Sequence, residues 1–104
     1  MTGADFGMDE AAIADFCGRW KIKELAVFGS AVRGRLGPDS DIDLLVTFAP
    51  EADWSMFDHY RMENELAELL ARDVDLVSSR AIEENPNEIY RKEILDSAKV
   101  IYAA

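Results

Sequence analysis

The chain has 104 residues, 49% of them hydrophobic and 31% charged, which suits a globular protein with one real core and reads as one domain over 1–104. Twenty-one acidic residues against eleven basic ones leave a formal net charge of −10. That balance argues against direct binding to nucleic acid or to an anionic membrane, both of which need a basic surface, and leaves a protein partner of basic or mixed charge.

The first residues carry neither a basic start nor an apolar run, so no signal peptide is expected. No window approaches the ~20 apolar residues of a membrane span. Met8, Ala12, Ile13, Phe16, Cys17 and Trp20 recur at helical spacing and predict a helix over 8–20. Cys17 lies on its apolar stripe as a small core residue. It is the only cysteine, so no intrachain disulfide can form and a cytoplasmic setting is expected. Leu25, Ala26, Val27 and Phe28 form a continuous apolar run, a buried strand. Gly29 and Ser30 break it, residues 31–35 suit a short helical turn, and Gly37-Pro38-Asp39-Ser40 is loop chemistry.

A second strand follows over 41–48. After a loop, Asp53 is placed to cap the next helix, which runs over 54–72 with Met62, Leu66, Leu69 and Leu70 as its apolar stripe. Trp54, Phe57 and Tyr60 read as core or a packing edge, and His59, the only histidine, as a surface or partly buried helix position. A short strand is expected over 74–77 and a connector over 78–85. Pro86 starts a helix whose buried face is Ile89, Tyr90, Ile94, Leu95 and Ala98. A last short strand covers 100–102. This order predicts an α+β, two-layer fold: a small mixed sheet with helices packed mainly on one face.

Two places carry chemistry. Asp41 and Asp43 are spaced i, i+2 at the mouth of a strand, so their side chains share one face, opposite Ile42 and Leu44. Leu44-Leu45-Val46 places them close to the core, where two uncompensated carboxylates repel each other and are costly. A hard divalent cation such as Mg²⁺ relieves that repulsion and usually arrives with substrate phosphates. A third acid comes from the strand over 74–77. Asp75 lies there, and Asp73 shares its face, so spacing alone does not choose between them. If that strand lies beside 41–48, three carboxylates come within reach of two metal ions about 4 Å apart, the arrangement for displacement at phosphorus. Gly29-Ser30 ends a strand where backbone N–H groups and a hydroxyl can approach a phosphate.

Taken together, Gly29-Ser30, the ten residues from Ala31 to Ser40, Asp41-Ile42-Asp43 and Val74-Asp75-Leu76-Val77 resemble the nucleotidyltransferase superfamily that includes DNA polymerase beta. Within it they resemble the minimal nucleotidyltransferase (MNT) domains, over about residues 25–102. The resemblance selects Asp75 over Asp73 as the third acid, and Arg33 and Gly34 fit the family's turn after Gly-Ser. It implies that Asp41, Asp43 and Asp75 bind Mg²⁺, two ions once nucleotide is bound, and that Asp75 helps activate the acceptor hydroxyl. Gly29 and Ser30 would hold the terminal phosphates of ATP, and Arg33 would neutralise phosphate charge.

The function implied by the resemblance is that of a protein adenylyltransferase and antitoxin. AMP would pass from ATP to a hydroxyl, a tyrosine's, of a HEPN-type ribonuclease toxin and neutralise it. So short a chain leaves little room for its own acceptor pocket, so the acceptor protein is expected to supply part of the site, in a hetero-oligomer with the toxin or beside a homo-oligomer. Two alternatives stand beside this: a non-catalytic module that blocks the toxin by binding alone, and a small-molecule nucleotidyltransferase.

Overall fold

The computed structural model describes residues 9–29 and 41–104. The predicted turn over 31–35, the loop over 37–40, Ser30 and Arg33 lie outside the described residues. The first helix, α1 (Glu10–Arg19), opens on Asp9, whose side chain accepts from the Ala11 and Ala12 amides, satisfying donors that a helix start leaves unpaired. Strands β1 (Ile22–Phe28) and β2 (Ile42–Phe48) pair antiparallel, with Leu25 opposite Val46 and Phe28 opposite Asp43. The helix α2 (Met56–Leu70) then crosses over to β3 (Val74–Ser78), which lies parallel to β2, as a parallel pair requires. After α3 (Ser79–Glu83) and α4 (Glu88–Ser97), β4 (Lys99–Ala103) returns antiparallel to β1. The sheet order is β3-β2-β1-β4, a mixed four-stranded sheet in an α+β fold.

Strand alternation divides the apolar residues between two layers. Leu25, Val27, Leu44, Val46 and Leu76 face α1 and α2 and meet Ile13, Phe16, Cys17, Met62 and Leu66 in the main core. Ala26, Phe28 and Leu45 face the other way and meet Ile82 of α3 and Ile94 of α4 in a smaller cluster. The larger core thus lies under α1 and α2, and α3 and α4 cover the opposite face of the sheet in the smaller cluster. Among the described residues, no helix is long and apolar enough to cross a membrane.

Local structure departs from expectation at several places. Ser55 caps α2 instead of Asp53: its hydroxyl accepts from the Asp58 amide while Asp58 accepts from the Ser55 amide, a reciprocal capping box. Trp54 stays outside the helix because its indole donates to the Trp20 carbonyl at 2.8 Å and its ring packs edge-on against Trp20 at 5.1 Å. Phe57 and Tyr60 are exposed rather than core. The connector over 78–85 contains α3, capped by Ser78 and anchored by buried Ile82. The last helix begins after Pro86, with Asn87 as its cap, and its buried face is narrower than expected. Ile94 is buried and Ala98 packs beside it, whereas Ile89, Tyr90 and Leu95 are exposed.

Candidate active site

The C-terminal end of β1 and the N-terminal starts of β2 and β3 meet at one edge of the molecule. Asp43 is the second residue of β2 and Asp75 the second of β3, and the parallel register sets them directly opposite each other. On its other side Asp43 pairs with Phe28, and the chain then turns at Gly29 with φ +71°. That left-handed conformation is one that glycine adopts without penalty. A Cβ at position 29 would stand 2.6 Å from Asp43 Oδ2, so the bare glycine backbone is what lets the carboxylate lie there.

Asp43 is half-buried, while Asp41 and Asp75 are exposed. Burial pushes the Asp43 carboxyl above its usual range, and the nearby carboxylates of Asp75 and then Asp41 push it further. Asp43 therefore lies within electrostatic reach of both Asp75 and Asp41. Asp73 does not enter that group: it precedes β3, and its carbonyl accepts from the Ile42 amide at 2.9 Å, tying the starts of the two strands together. Register puts Asp75, not Asp73, directly opposite Asp43.

Among the described residues, no three His, Cys, Asp or Glu side chains stand at the spacing of a preformed metal cage. The donor set nonetheless suits Mg²⁺ on chemical grounds. It consists of hard carboxylate oxygens alone, and the ionisation of its central member is opposed by its neighbours, a penalty that a cation removes. Beside Gly29 runs a cleft of about 200 Å³ lined by Phe28, Tyr90, Glu93, Ile94 and Ser97.

Two contributions went unread in the sequence. The glycine-to-carboxylate contact depends on register across β1 and β2, which no local pattern encodes. His59 and Glu63 reach from α2 to the outer edge of β3, a contact signalled only by their i, i+4 spacing.

This fold is that of a nucleotidyltransferase. A model of the nucleotidyltransferase domain matches residues 10–101, and the chain belongs to that family. Among its relatives, the protein adenylyltransferase MntA of Thermococcus cleftensis is 41% identical over 64 residues, which cover 62% of this chain and 63% of that protein. The match thus spans less than two thirds of that relative's length. A solved structure provisionally named a minimal nucleotidyltransferase is 32% identical, with a TM-score of 0.70 over 95% of both chains. The fold also resembles a solved complex of tri-AMPylated Shewanella oneidensis HEPN toxin with MNT antitoxin. There the TM-score is 0.62 at 22% identity, covering 91% of this chain and 70% of that one.

Proposed function

We propose that this chain is a cytoplasmic, Mg²⁺-dependent protein adenylyltransferase that works as the antitoxin of a HEPN-type toxin. The observation that carries this reading is the pairing of Asp43 with Asp75 across a parallel ladder, with Gly29 closed against Asp43. The adenylyltransferase relative and the likeness to an antitoxin in complex with an AMPylated toxin support it.

In this reading Asp41, Asp43 and Asp75 hold Mg²⁺, which when bound offsets the charge of the triphosphate and polarises its phosphoryl oxygens. Asp41 and Asp43 place the nucleotide phosphates. Asp75 faces the incoming hydroxyl and accepts its proton as the oxygen attacks the α-phosphorus of ATP. The bond from that phosphorus to the bridging oxygen breaks, and pyrophosphate leaves. Gly29 and Ser30 hold the terminal phosphates and Arg33 offsets their charge. Such catalysis is positioning and charge stabilisation. Carboxylates at this density repel a polyphosphate unless a cation stands between them, which is why the reading requires metal.

Incubation with ATP, Mg²⁺ and the toxin encoded beside it is expected to add AMP to the toxin, read by intact mass. Asp41→Ala combined with Asp43→Ala is expected to abolish the addition while the complex still forms. Toxin neutralisation that survives in the double variant would overturn the catalytic reading in favour of blocking by binding.

A further inference from the structure

Among the described residues, the outer edge of β3 is met by side chains of α2 rather than by another strand. The Leu76 amide donates to Glu63 Oε2 at 2.8 Å, and the Leu76 carbonyl accepts from His59 Nε2 at 2.7 Å. A carbonyl can only accept, so Nε2 carries the hydrogen. His59 and Glu63 are four residues apart on α2 and therefore stack on one face. Together they present one donor and one acceptor to a single residue, as a neighbouring strand would.

Successive residues of a strand turn their backbone groups to opposite sides. The Asp73 carbonyl faces β2 and bonds Ile42, whereas both backbone groups of Leu76 face α2. Asp75 precedes Leu76 and stands opposite Asp43. The strand that carries it is only five residues long and, among the described residues, has β2 as its sole strand neighbour. It also brings a carboxylate up against another carboxylate, a repulsion that favours slippage or outward displacement of β3.

We propose that His59 and Glu63 are positioning residues: by gripping both backbone groups of Leu76 they hold Asp75 at its register opposite Asp43. This rests on the assignment of those two acids to the transfer site. A mere seal of the sheet edge against aggregation would leave turnover per folded molecule unchanged when opened.

The test uses the full chain with Glu63→Ala and Glu63→Gln, the latter keeping an oxygen that accepts from the Leu76 amide. Hydrogen exchange at Leu76, kcat and KM for ATP in AMP transfer, and the affinity for Mn²⁺ alone by electron paramagnetic resonance are measured on each. Glu63→Ala is expected to speed exchange at Leu76 and to lower kcat roughly tenfold or more, with KM for ATP nearly unchanged and Mn²⁺ bound more weakly. Glu63→Gln is expected to restore all of these toward wild type. Should Glu63→Ala not fold, His59→Leu opens the other half of the grip and is expected to give the same split. Faster exchange at Leu76 with an unchanged kcat overturns the proposal, and so does a kcat that stays low when Glu63→Gln has restored slow exchange. If the wild type itself transfers no AMP, the adenylyltransferase reading fails separately. The grip is then judged on Mn²⁺ alone, where equal affinity in wild type and Glu63→Ala, or none in either, overturns it.

Discussion

Gly29 lies so close to Asp43 that the first side-chain atom of any other residue would meet the carboxylate oxygen Oδ2 at 2.6 Å. The backbone there is also left-handed, with φ +71°. Gly29→Ala therefore meets two penalties. The conformation costs about 1–2 kcal/mol for a residue with a Cβ, and the Asp43 side chain must turn away from its place beside Asp75. The expected outcome is a lower midpoint in denaturant unfolding together with loss of AMP transfer. Wild-type transfer by Gly29→Ala would show that Asp43 does not need this position.

A second expectation concerns pH. Burial, and then the carboxylates of Asp75 and Asp41, raise the Asp43 pKa above its ordinary 3.8. The folded chain thus holds that proton more tightly than the unfolded chain does. The stability contributed by Asp43 is complete below pH 3.8 and declines as pH rises through its raised value. Asp43→Asn is neutral throughout, so its Tm is expected to overtake that of the wild type across this window and then hold a constant lead. Millimolar Mg²⁺ with ATP is expected to raise the Tm of the wild type, through binding to the native state, and not that of the variant. A lead that shrinks as pH rises, or an equal response to Mg²⁺ with ATP, would contradict the picture of a half-buried Asp43 carboxylate repelled by Asp75 and Asp41.

Much of this arrangement is legible in the sequence. Period-2 alternation at Ile42, Asp43 and Leu44 says which side chains face together, and the apolar runs over 25–28 and 44–46 mark central strands. What the sequence lacks is register. Asp73 and Asp75 share a face, and only the pairing of Ile42 with Val74 places Asp75 opposite Asp43. The α2 start is ambiguous in the sequence because Asp53 and Ser55 are both good caps, and the tertiary contact of Trp54 with Trp20 decides between them. The buried face of α4 is narrower than its apolar stripe for a related reason. Helical spacing identifies an apolar stripe, but the partner surface on β1 and β2 is small enough that Ile94 and Ala98 suffice to cover it.

That narrow contact makes a mutational contrast within one helix. Ile94 packs with Phe28, Leu45 and Ile82, so Ile94→Ala is expected to destabilise the fold by about 2–4 kcal/mol. Ile89 is 80% exposed on the same helix, so Ile89→Ser is expected to shift stability by no more than about 0.5 kcal/mol. Urea unfolding of the two variants checks this. Similar losses at both positions would mean that the helix packs on the sheet through its whole apolar stripe.

Cys17 tests the main core in the same way. It is fully buried among Ile13, Phe16 and Leu25 on α1 and β1, and burial pushes its thiol up to about 12. The reactive species is the thiolate, which is scarce at neutral pH and shielded from reagent by the surrounding side chains. Alkylation by iodoacetamide at pH 8 is therefore expected to be negligible in the native protein. It should become complete in denaturant, with partial labelling at intermediate urea tracking the unfolded fraction. Rapid labelling of the folded chain would mean that α1 separates from the sheet far more readily than its packing implies.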